Sequence, residues 1–304
     1  MTATDPVTSG ALSAMLSAAS VEVSSRGHQL QQLRDHFRPG TDVTITFLPG
    51  DNYRHNIETA SALRRAGYNP VPHIAAREMP SREALDDFLA RARGEADVRR
   101  VLLIAGDVVA AKGPFRSSRD IGASGLIEAR GIASVSAAGH PEGHPYLETE
   151  DTFKVLAAWR DWGRQTNIGV DVVTQFCFES APILGWIGEL QARGIDLPVI
   201  VGLAGPATPA TLTKFALRCG IGNSLRSLRS QIGRFGRLLT DTGPDDVVRG
   251  LQSAPADAVA PIAGFHLFPF GGVRKAGEWL RANSHEMPRP TARATASTAD
   301  PQNP

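Results

Sequence analysis

Short apolar runs alternate with amphipathic segments along most of the chain. Segments such as 148–164 repeat their apolar side chains with helical spacing, whereas the runs between them are apolar throughout. Strands of that kind are typical of a parallel sheet that is covered on both faces. The predicted strands lie at residues 20–26, 43–48, 71–74, 101–105, 132–137, 170–176, 198–202 and 262–268.

This order predicts a (β/α)₈ barrel, because roughly eight strand–helix units of about 250 residues in total are typical of that fold. A doubly wound open sheet is the alternative, but no glycine-rich dinucleotide fingerprint follows the first strand. We expect residues 1–286 to form a single barrel domain. Residues 8–19 form an extra N-terminal helix in this prediction, and the Pro-, Thr- and Ala-rich residues 287–304 form a disordered tail.

Some local features predict departures from regular structure. Pro72 predicts an irregular ladder in the third strand, and one helix is expected to begin near Asp120. Much of the basic segment 224–239 is expected to be helical, with a solvated face as the simplest explanation for its arginines.

Composition narrows the function classes. The formal net charge is +1 and 21% of residues are charged, so the chain as a whole has no electrostatic attraction to nucleic acid or to an anionic membrane. Two cysteines do not make a disulfide framework, and Cys177 is expected to be buried. The first residues lack the basic segment of a signal peptide, and no apolar run reaches membrane-spanning length, so we expect a cytoplasmic protein. The oligomeric state stays open, with a homo-oligomer as one option.

Glu22 is the first candidate for chemistry. It lies between Val21 and Val23 on the first strand, where desolvation of the carboxyl would raise its pKa and suit it to proton donation near neutral pH. The simpler alternative is a carboxylate that faces solvent.

Polar residues recur on or just after nearly every predicted strand, and in a barrel the active site lies where strands end. His140 and His144, with Glu142 between them, are side chains of the kind that bind metal ions, so a metal-dependent hydrolase or lyase is an alternative function. Pro141 and Pro145 argue against a helix there, so we favour histidines that bind a ligand and predict no metal. The strand-end set comprises Glu22, Thr46, His73, Asp107, His140, His144, Gln175 and His266.

These motifs, in this order, resemble the catalytic barrel of the methylenetetrahydrofolate reductase family over most of residues 18–283. The resembling segments are Ser20-Val21-Glu22-Val23, Val43-Thr44-Ile45-Thr46, Pro72-His73-Ile74, Gly106-Asp107, Pro141-Glu142-Gly143-His144-Pro145 and Thr174-Gln175-Phe176.

The resemblance implies reduction of 5,10-methylenetetrahydrofolate to 5-methyltetrahydrofolate, with NAD(P)H as reductant and FAD as relay. It implies that Glu22 is the general acid, that Asp107 is a second catalytic residue, and that both contact the tetrahydrofolate substrate together with Gln175. The implied cofactor contacts are Thr46, His73, Gly106, Asp107, Ala138, His140 and His144.

Several positions depart from the family pattern, among them the loop 203–207, which lacks the family's Pro-Gly-Ile-x-Pro form, and the lysines expected before Thr174. Ala105 stands where the family has arginine, and His140 stands where it has tyrosine. Because such positions contact flavin in the family, a reductase that transfers hydride directly from NAD(P)H stays an alternative, as does a protein that only binds folate or flavin. The choice between NADH and NADPH, and the pathway that uses the methyl group, also stay open.

Overall fold

A computed structural model describes residues 9–26, 29–144, 147–221 and 241–284. Eight parallel strands close into a barrel in sequence order, with β1 paired to both β2 and β8, which confirms the predicted fold. The strands are β1 (Ser20–Ser24), β2 (Asp42–Thr46), β3 (Asn69–Ala75), β4 (Arg100–Ile104), β5 (Ser134–Gly139), β6 (Gly169–Thr174), β7 (Val199–Ala204) and β8 (Ile262–Phe268).

Helices cover the outside of the barrel and follow the strands along the chain. They are α1 (Ser9–Ser17), α2 (Leu30–His36), α3 (Tyr53–Arg65), α4 (Arg82–Ala96), α5 (Ser118–Ala123), α6 (Leu126–Ala129), α7 (Thr149–Thr166), α8 (Ser180–Ala192), α9 (Pro209–Arg218), α10 (Asp245–Gln252), α11 (Ala256–Val259) and α12 (Val273–Asn283). None of these described helices has the length and apolar character needed to cross a bilayer.

Along each strand, alternate side chains point outward into the apolar core beneath the helices or inward into the interior of the barrel. Val21 and Val23 of β1 are buried in the main apolar core, which the strands share with the surrounding helices, whereas Glu22 lines the interior. Val43 and Ile45 of β2 join the same core. Alternate residues of a strand point to opposite faces, so a strand can support the core and the interior at once.

A polar layer lies at the amino ends of the strands. Arg100 at the start of β4 donates to Asp42 of β2 at 3.1 Å and to Ser134 of β5 at 3.1 Å, and lies 3.7 Å from Asp171 of β6. Burial raises the pKa of Asp171, and the Arg100 charge opposes that rise. This layer ties together strands that are not neighbours.

The extra N-terminal helix is present as α1, which packs against β8 and α12 and buries Leu12 and Leu16. Cys177 is buried, as predicted. The helix expected near Asp120 is instead two short helices, α5 and α6, because Gly125 between them adopts a left-handed backbone with φ of 72°.

Strand β3 continues past Pro72, but its pairing changes there: the register with β2 ends with Ile45 beside Pro72, and the register with β4 begins with His73 beside Leu102. The predicted helix at 224–239 and the tail at 287–304 lie outside the described residues. The single-domain boundary at residue 286 stays a prediction.

Candidate active site

One cavity of about 360 Å³ opens at the carboxyl ends of the strands. All nine residues that the sequence singled out as catalytic, cofactor-binding or substrate-binding lie on its wall, although their roles stay predictions. They come from the ends of different strands, as expected for a barrel enzyme. They are Glu22, Thr46, His73, Gly106, Asp107, Ala138, His140, His144 and Gln175.

Glu22 enters the cavity from β1, beside Thr44 of β2 in the sheet register. Only 17% of its side chain is exposed, and burial raises the pKa of the carboxyl from 4.5 to about 8. The group is therefore mostly protonated at neutral pH and can donate a proton.

His73 and His266 lie beside the acid. Nε2 of His73 is 3.7 Å from Oε2 of Glu22, which is too long for a hydrogen bond. Nδ1 of His266 lies 2.8 Å from Oγ of Ser20. Burial lowers the pKa of His73 to about 4, and burial with the neighbouring His73 lowers that of His266 to about 3. Both imidazoles are therefore neutral at pH 7.

Three polar atoms of this wall are buried without a hydrogen-bond partner among the described residues. They are Oγ1 of Thr46 and Nε2 of both His73 and His266. Buried polar atoms usually have partners, and unpaired ones cost free energy. A bound heterocycle with ring nitrogens and carbonyls can supply the missing partners, so the wall fits the polar edge of a pterin or of a flavin ring.

Asp107 stands at the rim, where the chain turns after β4. Gly106 makes this turn with φ of 91°, a conformation that glycine adopts without strain. A side chain at Gly106 would also lie 3.3 Å from Cβ of Ala75. The Asp107 side chain is exposed and borders the cavity. It is therefore available to accept hydrogen bonds from the N–H groups of a ligand.

Gln175 follows β6 directly and is fixed by its backbone. Its N–H donates to the carbonyl of Gly139 at 2.8 Å, and its side-chain Oε1 accepts from the N–H of Phe176 at 3.2 Å. The side-chain amide also interacts with the thiol of Cys219 on the wall, whose pKa is raised to about 11, first by burial and then by Asp107. That thiol is protonated at neutral pH and is a poor nucleophile.

His140 and His144 pack edge to face, with ring centroids 4.7 Å apart. Burial and the neighbouring His144 lower the pKa of His140 to about 4, and burial with Arg77 also lowers that of His144. Within the described ranges, no three His, Cys, Asp or Glu side chains group as metal ligands would.

An aromatic wall of three phenylalanines, Phe215, Phe268 and Phe270, borders the same cavity. Phe215 of α9 stacks on Phe270 with centroids 4.2 Å apart and planes at 19°, and Phe268 is nearly parallel to Phe270 at 5.8 Å. This surface suits a planar ring. Sequence reasoning missed it, although the Phe-Pro-Phe sequence at the end of β8 was a usable signal. It also missed Cys219, which no motif marks.

Comparisons with known proteins bear on the family and on the fold. The family model for methylenetetrahydrofolate reductase matches residues 22–222, about two thirds of the chain. Methylenetetrahydrofolate reductase 2 of Saccharomyces cerevisiae is 23% identical over 185 residues, which are 57% of this chain and 30% of that protein. The chain therefore aligns with less than a third of that relative's length.

The fold also matches a solved structure from Clostridium thermocellum, described as binding two copies of 5-methyl-5,6,7,8-tetrahydrofolic acid. The TM-score is 0.55 at 11% identity, covering 88% of this chain and 94% of that one, a level that supports the fold alone. The family match rests on more than half of the chain and includes every strand from Glu22 of β1 through β7. The chain thus belongs to the methylenetetrahydrofolate reductase family.

Proposed function

We propose that this chain reduces 5,10-methylenetetrahydrofolate to 5-methyltetrahydrofolate, with NAD(P)H as the source of hydride. The balanced reaction consumes one NAD(P)H and one proton and yields the methyl product and NAD(P)⁺. The family match supports the folate and the redox class. The burial of the Glu22 carboxyl on the cavity wall, which raises its pKa, is the observation that carries the mechanism.

The reaction needs an acid before it needs a hydride. The methylene group bridges N5 and N10 of the folate, and its carbon becomes electrophilic only when the bond to N10 breaks and leaves an N5 iminium. Proton donation to the departing nitrogen drives that opening, and Glu22 is the donor in this proposal. Hydride then adds to the iminium carbon, and Glu22 regains a proton from water.

Asp107 and Gln175 orient the substrate. The exposed Asp107 carboxylate at the rim can accept two N–H groups from the aminopyrimidine edge of the pterin. Gln175 offers both a donor and an acceptor from the end of β6, and the backbone bond to Gly139 fixes its place. These contacts hold the bridging carbon in a reactive geometry.

The cavity wall also fits a flavin ring, and FAD as relay is part of the proposal. Thr46, His73, Ala138 and His140 are the residues that would hold it, with the unpaired Thr46 Oγ1 and His73 Nε2 as hydrogen-bonding atoms. When bound, a flavin accepts hydride from NAD(P)H and passes it to the folate.

The visible spectrum of the purified protein tests this assignment, recorded anaerobically before and after NAD(P)H and then after methylenetetrahydrofolate. We expect a flavin spectrum that bleaches with NAD(P)H and recovers with the folate. A colourless protein that still oxidises NAD(P)H in the presence of folate would support direct hydride transfer and exclude the relay. Absence of folate-dependent oxidation with both NADH and NADPH would refute the reductase assignment.

A further inference from the structure

Glu78 is a buried carboxylate that the proposed chemistry does not use. It ends the short 3₁₀ turn Ala76–Glu78 directly after β3, and only 2% of its side chain is exposed. Its Oε2 lies 2.5 Å from Nζ of Lys112, and its Oε1 is buried without a hydrogen-bond partner among the described residues. Burial of a carboxylate costs desolvation free energy, and the ion pair with Lys112 offsets part of that cost.

Lys112 belongs to the loop that begins at Asp107. Nearly half of its side chain is covered, and its ammonium reaches inward to Glu78. The same loop is bound to the turn through the backbone: the N–H of Arg77 donates to the carbonyl of Ala105 at 2.9 Å, and the N–H of Lys112 donates to the carbonyl of Arg77 at 2.8 Å. The Arg77 side chain adds a bond from Nε to the carbonyl of Arg116 at 2.9 Å.

Two close approaches show how tightly the loop lies on the turn. A Cβ added at Gly113 would collide with the carbonyl oxygen of Pro80. A Cβ added at Gly106 would lie 3.8 Å from Cγ of Glu78. The carboxylate side chain therefore packs directly beneath the residue that precedes Asp107.

We propose that Glu78 is a positioning residue that holds Asp107 against the substrate through its ion pair with Lys112. This inference rests on the proposed function, in which Asp107 binds the pterin edge. The pair anchors the loop five residues beyond Asp107, while the Arg77 backbone bond anchors it at Ala105, two residues before. Asp107 stands between these two points. Loss of the ion pair leaves Lys112 held to the turn by its backbone bond to Arg77 alone, and this looser attachment lets the Asp107 carboxylate move.

Exposed ion pairs contribute little, but here one partner is buried, and removing the other leaves a charge without compensation. We therefore expect Glu78→Gln and Lys112→Met each to weaken folate binding about tenfold, which corresponds to about 1.4 kcal/mol. Lys112→Arg keeps the charge and should stay close to wild type. The matched control is Lys275→Met on α12, which removes the 2.6 Å ion pair between Lys275 and Asp241.

The experiment measures the KM for methylenetetrahydrofolate, kcat, and the Kd for 5-methyltetrahydrofolate by calorimetry, in the wild type and these variants and again in an Asp107→Ala background. We expect KM and Kd to rise together while kcat changes less than threefold. In the Asp107→Ala background, Glu78→Gln should add no further loss, because the residue acts through Asp107.

Unchanged binding in both single variants would overturn the inference, as would an equal, additive loss in the Asp107→Ala background, which is the result expected of a purely structural residue. Lys112→Met keeps the test decisive if Glu78→Gln does not fold, because about half of the Lys112 side chain is exposed and its replacement leaves the core intact. Wild-type turnover tests the proposed function separately. If the wild type binds folate without reducing it, the proposed reductase activity is refuted, but the Kd values of the variants still test the positioning of Asp107. If the wild type binds no folate, both the proposed function and the positioning role of Glu78 are overturned.

Discussion

Replacing Glu22 by glutamine is expected to remove folate reduction and to stabilise the fold in a pH-dependent way. Burial raises the pKa of this carboxyl from 4.5 to about 8. Between those values the unfolded chain has released the proton while the folded chain still holds it. Through Glu22, the wild type therefore loses stability as the pH rises across this window. Glutamine has no proton to lose, so the variant avoids that loss.

The size of the effect follows from the same two values. At about 1.4 kcal/mol for each pH unit, a rise from pH 5 to pH 7 lowers wild-type stability through Glu22 by about 2.5 kcal/mol. Above about pH 8 both states are ionised and the difference becomes constant. Because 17% of the side chain still reaches water, we expect a measured change of about 2 kcal/mol.

Buried histidines act in the opposite direction. The pKa of His73 is lowered from 6.5 to about 4, so its contribution to stability grows as the pH rises between those values. The difference between the variant and the wild type at each pH therefore isolates Glu22, which the wild-type curve alone cannot do.

Urea unfolding at pH 5, 6, 7 and 8 measures this difference, with Glu58→Gln on the exposed face of α3 as the matched control. The gap between Glu22→Gln and the wild type should widen with pH, while the control stays parallel to the wild type. A gap of the same size at pH 5 and pH 7 would show that Glu22 ionises as an ordinary carboxyl. Its assignment as the acid would then have no physical basis.

Three further outcomes test the site and the barrel. Wild-type folate reduction should fall about tenfold per pH unit above about pH 8, as Glu22 loses its proton, and initial rates measure this. Asp107→Ala should raise the KM for folate at least tenfold, which corresponds to about 1.4 kcal/mol. The effect on NAD(P)H-dependent reduction of an artificial acceptor should be smaller. Equal losses in both assays would show that the residue is structural. Gly202→Ala should destabilise the fold by about 1–3 kcal/mol in urea, because the added methyl meets the Thr174 carbonyl and lies 2.7 Å from Phe268; an unchanged midpoint would contradict this packing.

Much of the fold and of the candidate site could be predicted because both depend on local sequence. The apolar run at residues 101–105 is long enough to identify a buried strand, and Gly106-Asp107 marks its end. Once strands and their ends are known, the barrel places the residues that follow them at one face. The location of Glu22, Asp107 and Gln175 on one cavity is a consequence of that rule.

The remaining features depend on closure of the barrel and on packing between distant segments. Glu22 and His73 approach to 3.7 Å across the interior, although β2 lies between their strands. Phe215 reaches the cavity because α9 lies beside its opening. The bond between Glu78 and Lys112 joins two loops whose relative position no local pattern encodes.

The polar layer of Asp42, Arg100 and Asp171 affects the end of the barrel from which ligands can enter the cavity. Because these side chains lie at the amino ends of the strands, the folate and the nicotinamide of the proposed reaction would both approach from the carboxyl end, where the cavity opens. Departure of one ligand and arrival of the other are then coupled events at a shared entrance. In such an enzyme the exchange of ligands can limit turnover even when the chemical step is fast.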